Sequence, residues 1–507
     1  MESSNPPMNP SSGALPLVSR RLLGLSVIAL GLGVAWLTFR FELAAGGADS
    51  SGYLNSGRLF AAGKLEAELR VPVELGADVR FNEWVPLGFW TSLRPGMAAP
   101  TYPPGLPLQF AAASLVLGWN VGPWLVMFVL AAAAPILCLQ CAREMGLSPW
   151  LGFAAAVILV LSPVTLFCAS QPLSDLPATT WCLAAVWTAL RAHRLQANSW
   201  AVASGLCLAL AVLVRPSNVL LLPALVVVLG GWRRWLAAGL GGLPGAIGLA
   251  YYNQTLYGHP LRNGYGDIVS SLEAIWVWPT LSLYGEWIPR LLPAVVLLLP
   301  LVALAGGLSR LRLLVALGLW GAAFAIFYAF YPVTHEVWWC LRFVLPGFPA
   351  LLLAAMLGVE VGILRLRLRS PEAARVAVSI GLATWSLVLA LYWVPRLNLG
   401  GIGPAERVYR ESGVWVNENL PRQSVVSSMA ASGTLYYYSS LVTLRFDEMS
   451  PETYAKKARV LRAAERPIYA LLFESERATA LRVHGTDRWE RIRDFGNLTL
   501  WRLSATP

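Results

Sequence analysis

Long apolar runs recur along most of this chain, divided by short basic or Pro/Gly-rich breaks; residues 22–39, 151–167 and 291–304 are three of them. A bilayer interior offers no water to unpaired backbone groups, so runs of this length are expected to be membrane-crossing helices. Composition agrees: 56% of residues are apolar and only 13% charged, against roughly a quarter charged in soluble domains. Many of the 22 Trp residues stand at the ends of runs, among them Trp36, Trp119, Trp232 and Trp393, as interfacial anchors do. The expected fold class is mainly α: a polytopic transmembrane helical bundle of about eleven spans, followed by a small α/β domain.

The formal charge of +11 does not point to nucleic acid. Its arginines sit in short loops between apolar runs, where they set membrane topology. Four of the six Cys (138, 168, 182 and 207) fall inside apolar segments, and the C-terminal region has none, which argues against a disulfide framework. Cys138 and Cys141 have CxxC spacing, but at the end of a spanning helix they read as packing residues. Arg20 and Arg21 precede a run too long for a usual signal core, so 22–39 is read as a first span.

With residues 1–20 in the cytoplasm, 40–119 becomes a large outer loop. Within it 104–119 is apolar but short, and is read as a juxtamembrane or re-entrant helix. Residues 121–141 then return inward, 151–169 lead out, and 175–190 return. On this alternation Arg143, Arg191, Arg194, Arg233, Arg234, Arg310, Arg312 and Arg365 all fall on the inner side. Residues 251–290 and 331–341 lie outside, and the last span, 376–394, delivers the C-terminal domain outside. The expected organisation is therefore a tail (1–20), a transmembrane module (21–398) and an extracytoplasmic α/β domain (399–507). In the latter, 424–429, 441–445, 468–473 and 498–503 read as strands, and 406–419, 452–464 and 474–483 as helices. It has neither a Gly-rich phosphate loop nor an obvious triad.

The outer loops carry the polar residues that need explaining. Asp49 follows Gly46-Gly47 and opens an amphipathic stretch through Tyr53, Arg58 and Gly63. A carboxylate there could orient a hydroxyl, act as a general base, hold a divalent cation, or cap a helix. Asp175, in Ser174-Asp175-Leu176-Pro177, suits a helix N-cap and equally a polar site at the mouth of the bundle. Arg215, before Pro216, is a cation at or just below the outer face: a phosphate ligand by bidentate geometry, or a snorkelling side chain. Tyr102-Pro103-Pro104-Gly105 makes a rigid approach that could shape a groove. Arg262, Tyr265, His335, Glu336 and Arg342 are further outer polar residues; Arg342 is placed to meet an anionic head group, and His335 and Glu336 read as solvated.

These pieces, in order, resemble the GT-C superfamily of membrane glycosyltransferases, and most of all bacterial glycosyltransferase family 39 proteins, relatives of protein O-mannosyltransferases and aminoarabinose transferases. The resemblance spans residues 20–395. It rests on Asp49 with Tyr53 and Gly63, on 102–108, on 174–178, on Arg215-Pro216, on 253–265 and on Arg342-Phe343-Val344-Leu345-Pro346. It implies an inverting transferase at the outer membrane surface, with a polyprenyl-phosphate sugar as donor and the lipid bilayer as its setting; the Arg-rich, Ala/Leu-rich composition points to a bacterial inner membrane. Asp49 would be the catalytic residue and Asp175 a second acid placing the acceptor or a divalent metal such as magnesium or manganese. Arg215 and Arg342 would hold the donor phosphate, and Tyr53, Arg58, Tyr102, Arg262 and Tyr265 would complete the substrate site. The chain departs from the family in two places: Asp49 is followed by Ser50 where many relatives have an acidic pair, and Tyr102 stands where many have His or Lys. The sequence leaves two other readings standing, a flippase for lipid-linked intermediates and a catalytically silent assembly partner.

Overall fold

The protein's architecture is given by a computed structural model that describes residues 42–76, 80–267, 269–485 and 487–505. The N-terminal tail and the first expected span, 22–39, lie outside the described residues.

The first outer loop is ordered by short elements that its sequence hides. Helix α1 (Asp49–Ala61) is followed by a three-stranded antiparallel sheet of β1 (Ala67–Glu68), β2 (Phe89–Thr91) and β3 (Met97–Pro100), in the order β1-β3-β2. Strands of two to four residues leave too little alternation to read. Helix α2 (Gly105–Leu117) has 13 residues, about 20 Å of rise against the roughly 30 Å of a hydrocarbon core, which fits the short apolar stretch expected there.

The bundle follows: α3 (Gly122–Glu144), α4 (Pro149–Leu161), α5 (Pro163–Ala169), α6 (Asp175–Leu195), α7 (Asn198–Val214), α8 (Leu222–Leu229), α9 (Trp232–Tyr257), α10 (Val277–Leu291), α11 (Leu299–Ala303), α12 (Leu308–Ala329), α13 (Phe348–Arg365) and α14 (Pro371–Arg396). Two expected single spans are broken. Residues 151–169 divide into α4 and α5, which meet at 62°. Ser162 is forced extended (φ −57°, ψ 127°) ahead of Pro163, which cannot donate to the preceding turn. Residues 291–304, with Pro293 and Pro300, form 3-10 turns and the five-residue α11. Among the described residues, four helical segments are long and apolar enough to cross a membrane (Gly122–Glu144, Arg310–Ala329, Trp338–Arg365 and Pro371–Arg396), with the bent α4–α5 pair a fifth if counted as one span. The described residues thus do not reach the expected eleven on those grounds, although the chain is an integral membrane protein by its apolar helices.

Helix α15 (Ile402–Asn419) leads into the C-terminal domain, a five-stranded sheet in the order β5-β4-β6-β8-β7. Strands β4 (Val425–Ser427), β5 (Val442–Leu444) and β6 (Ile468–Phe473) are parallel; β8 (Leu498–Ala505) and β7 (Asp487–Phe495) add antiparallel at one edge. Between them lie α16 (Ser432–Tyr438), α17 (Pro451–Ala463) and α18 (Glu474–Val483). The first-loop residues Leu75 and Trp84 complete the core of this domain with Leu444, Phe446 and Leu461. Beside Trp84 a buried ion pair joins Glu83 of the loop to Lys457 of α17. The C-terminal domain and the first loop therefore pack as one body over the end of the bundle.

Candidate active site

Asp49 is the first residue of α1, and the chain reaches it through two glycines. Gly47 is in the left-handed region (φ +50°), and a Cβ on Gly46 would lie 2.2 Å from the Glu406 carboxylate. One turn along, Tyr53 packs its ring 4.7 Å from that of Tyr102, and Tyr265 stands 5.9 Å from Tyr102 on the other side. The close approach of Tyr102 needs Gly52, where a Cβ would fall 2.4 Å from the Tyr102 ring. The Tyr53 hydroxyl donates to Ser174 Oγ at 2.7 Å, and the Tyr102 hydroxyl lies near the Asp49 carboxylate, both lining the same cavity. Burial, with Asp49 nearby, pushes both phenols up, so they stay protonated donors.

Asp175 begins α6 and is 2% exposed. No side-chain cap forms at this helix end. Instead the Asp175 carboxylate accepts a hydrogen bond from Arg215 and faces Arg342 at 3.9 Å. Arg215 gets there because α7 stops at Val214: the residue before Pro216 is driven extended (φ −145°, ψ 115°), which turns its side chain out of the helical row. Arg342 comes from the 3-10 segment Trp338–Gly347, donates to Asp49 Oδ2 at 2.8 Å, and lies over the Trp339 and Phe343 rings at 5.2 and 5.1 Å. Arg215 also lies over the Phe343 ring, at 5.2 Å. Asp49, Arg342, Asp175 and Arg215 thus alternate in sign around one mouth. Burial is the largest single influence and would raise the Asp49 carboxyl, but Arg342, Tyr102 and Arg215 together outweigh it and hold the group below the usual carboxylate range.

These four residues line a cavity of about 440 Å³ together with Tyr53, Tyr102 and Tyr265. Most of its remaining wall is apolar or aromatic, with Leu220, Leu261, Phe327 and Tyr331, and Ser174, Ser217 and Asn263 add polar groups. Val219 also lines a second cavity of about 330 Å³, formed by apolar side chains of α7, α8 and α9 such as Leu208, Val212, Leu222 and Leu243. Seven of the nine residues singled out in the sequence therefore share one cavity. Arg58 and Arg262 do not. Arg58 donates to the Tyr437 carbonyl at 2.6 Å and lies 3.4 Å over the Tyr437 ring, inside the contact with the C-terminal domain. Arg262 is exposed, and its neighbours Leu261 and Asn263 line the cavity instead. The sequence reading missed Ser174 as the partner of Tyr53, and Ser217, whose hydroxyl shares a 2.7 Å hydrogen bond with Tyr328. Both flank residues already singled out, which is the one signal that could have found them.

A family model described as dolichyl-phosphate-mannose-protein mannosyltransferase matches residues 102–255, a stretch that holds Tyr102, Asp175 and Arg215. Among solved structures, ArnT from Cupriavidus metallidurans in the apo state is 14% identical with a TM-score of 0.59, covering 96% of this chain and 98% of that one. The same protein bound to undecaprenyl phosphate is 12% identical with a TM-score of 0.55, at the same coverage. The archaeal oligosaccharyltransferase AglB from Archaeoglobus fulgidus, in complex with an inhibitory peptide and a dolichol-phosphate, is 11% identical with a TM-score of 0.57, covering 97% and 75%. No curated protein matches the chain by sequence. The chain has the GT-C fold and resembles the protein mannosyltransferases and ArnT.

On this GT-C scaffold the donor set bears on the divalent cation that the family resemblance raised. Among the described residues no three His, Cys, Asp or Glu side chains come together. Asp49 and Asp175 are each taken up by a guanidinium. Two carboxylates already neutralised by arginine do not fit a divalent-cation site. What the arrangement offers is an ionised carboxylate at the mouth, two fixed cations a few ångströms behind it, and an apolar recess beside them.

Proposed function

We propose that this protein is a membrane glycosyltransferase that moves a sugar from a polyprenyl-phosphate donor to an acceptor at the outer face of the membrane. The observation that carries the reading is the chain of alternating charges, Asp49, Arg342, Asp175 and Arg215, lining a cavity whose Val219 wall adjoins an apolar one. A lipid phosphate needs that combination: guanidinium groups for the phosphate oxygens and an apolar channel for the tail. Complexes with undecaprenyl phosphate and dolichol-phosphate in two proteins of the same fold support it.

In this reading Arg215 and Arg342 bind the donor phosphate through the N–H groups they do not spend on the two carboxylates. Asp175 keeps both guanidiniums in place. The acceptor nucleophile enters beside Asp49, which takes its proton as it attacks the anomeric carbon. The bond from that carbon to the phosphate oxygen breaks, polyprenyl phosphate leaves, and the charge that gathers on it is met by the fixed arginines. Attack opposite the leaving group inverts the anomeric centre.

The orientation follows from charge. Helix α6 has 21 residues, so Asp175 at its start and Arg191 and Arg194 near its end stand roughly 24 and 28 Å apart along the axis. At that far end Glu144 bridges Arg191 and Arg194, and Arg312 reaches His193 at 2.7 Å. A basic end of this kind belongs to the cytoplasm by the positive-inside rule, which turns the cavity outward. We assign α6, α7 and α9 as further spans, and the bacterial inner membrane as the location.

The test is release of polyprenyl phosphate from a panel of radiolabelled polyprenyl-phosphate sugars, with membrane extract as the acceptor source, by wild type and Asp49→Asn. Release by wild type that falls at least about 100-fold in the variant is the expected result. Unchanged release by Asp49→Asn would remove Asp49 from the chemistry. No release from any donor by folded protein would favour the flippase or the silent partner.

A further inference from the structure

The segment that leads to Asp49 has little within its own stretch of chain to hold it. Residues 42–46 have no regular secondary structure, and Gly46 and Gly47 give the backbone wide freedom one turn before the carboxylate. Yet the Asp49 carboxylate must stay at one distance from Arg342 for the chain of ion pairs through Arg342 and Asp175 to Arg215 to hold.

The constraint comes from the far end of the chain. Helix α16 lays its residues along this segment and along the first two turns of α1. Ala45, fully buried, has both backbone groups engaged by one helix: the Thr434 hydroxyl donates to its carbonyl at 2.5 Å, and its N–H donates to the Tyr438 hydroxyl at 3.2 Å. One turn along, Asn55 donates to the Gly433 carbonyl at 3.0 Å. Gly433 itself admits no side chain, since a Cβ there would stand 2.2 Å from Ser51 Oγ and 2.7 Å from the Leu87 carbonyl. Ser432 accepts from the Leu87 N–H at 3.0 Å, so the same helix also pins the loop on the other side of α1. Thr434 is fully buried and touches neither Arg342 nor the cavity.

We propose that Thr434 and Tyr438 of the C-terminal domain are positioning residues for Asp49, fixing through both backbone groups of Ala45 the distance at which its carboxylate meets Arg342. This role rests on the transferase reading for its catalytic consequence, but not for the clamp itself. The C-terminal domain then acts as the part that makes the glycine approach rigid, and a donor bound by Arg215 and Arg342 meets a carboxylate already in place.

The experiment compares Thr434→Val, Tyr438→Phe and Thr434→Ser with wild type by two readouts. Amide hydrogen exchange over residues 42–54, which needs no substrate, is expected to speed up about tenfold in the Val and Phe variants and to return toward wild type in the Ser variant, which keeps the hydroxyl. In the release assay kcat is expected to drop about tenfold with donor KM within about twofold, because the phosphate ligands are untouched. The acid limb of the kcat profile should move up as Asp49 loosens from Arg342. A merely structural role would lower thermal stability and leave that limb where it is. Unchanged exchange in both Thr434→Val and Tyr438→Phe, or faster exchange with kcat and acid limb unchanged, overturns the proposal. If wild type releases no polyprenyl phosphate, the transferase reading falls while the exchange result still decides the clamp.

Discussion

Arg342 donates to Asp49 across 2.8 Å and stands 3.9 Å from Asp175, so a single guanidinium joins two carboxylates that are 126 positions apart in the chain (175 − 49 = 126). A lysine could supply the charge but not the fork, because an ammonium on a flexible stem is a point donor. In Arg342→Lys the carboxylates should no longer be held together. We expect kcat for polyprenyl phosphate release to fall about 100-fold, with the acid limb of its pH profile displaced upward. A full pH–rate profile of the variant checks both, and wild-type kinetics in Arg342→Lys would mean that the bridge has no part in turnover.

The Asp175–Arg215 pair makes a different demand. Both side chains are largely buried, at 2% and 13% exposure. Removing Asp175 leaves Arg215 buried without a carboxylate, which costs on the order of 3–5 kcal/mol; removing Arg215 leaves Asp175 only its 3.9 Å contact with Arg342, and removing both relieves the penalty. Asp175→Asn and Arg215→Gln should each lower the melting temperature in detergent more than the double variant does. Thermal unfolding of the four proteins measures this; additive losses would show that the pair is not coupled.

His484 predicts an acid sensitivity of the C-terminal domain. It is fully buried, shares a 3.0 Å hydrogen bond with Ser427, and packs 4.4 Å from the Tyr454 ring. Its Nδ1 has no partner among the described residues, so no carboxylate completes a triad. Burial, helped by Arg462, pushes its pKa down to about 3 from 6.5. A depressed histidine favours the folded state only while neutral, so the stability it protects is full above pH 6.5 and is lost as pH falls toward 3. Between pH 7 and 5 this amounts to about 2 kcal/mol at 1.36 kcal/mol per unit. His484→Gln has no such proton to take up. Whatever its absolute stability, its unfolding midpoint should change less than that of wild type across this range, and identical pH slopes would count against the assignment.

How far the fold and the site could be read in advance depends on the length of the interaction. Uninterrupted apolar runs made α3 and α14 legible, because helix formation in lipid is a local demand of the backbone. The break at Ser162-Pro163 was legible in principle from the proline, yet the run around it is so apolar that one span was expected. The strands around Ala67 and Trp90 carry no period, and they exist because the C-terminal domain packs on their loop through Trp84. Asp49, Asp175, Arg215 and Arg342 stood out as charges beside apolar runs, but nothing local states that they share one cavity. Arg58 and Arg262 show the converse: a loop position does not say which way a long side chain turns, and Arg58 turned onto Tyr437. The grip of Thr434 and Tyr438 on Ala45 spans nearly the whole chain and left no trace in the sequence around either.

Glu406 gives the last prediction, and it concerns the same glycine approach from its other side. The Glu406 carboxylate packs against Gly46, and one of its oxygens is buried without a hydrogen-bond partner among the described residues. Nearby Glu42 is held by Arg407 at 3.3 Å and Arg410 at 3.0 Å, which leaves Glu406 as the acid with no cation of its own among the described ion pairs. Burial first, and Glu42 second, push its pKa up to about 7 from 4.5. An acid raised in this way is bound to its proton more tightly when folded than when unfolded. Its favourable contribution is complete below pH 4.5 and is lost as pH rises to about 7, beyond which the folded state carries an ionised carboxylate against Gly46. Glu406→Gln keeps the shape and removes the ionisation. The variant should therefore gain thermal stability relative to wild type at pH 8 and show no such gain at pH 4.5, measured as the difference in melting temperature at each pH. A difference of the same size at both would mean that Glu406 is solvated in the folded protein and that the contact with Gly46 does not depend on its proton.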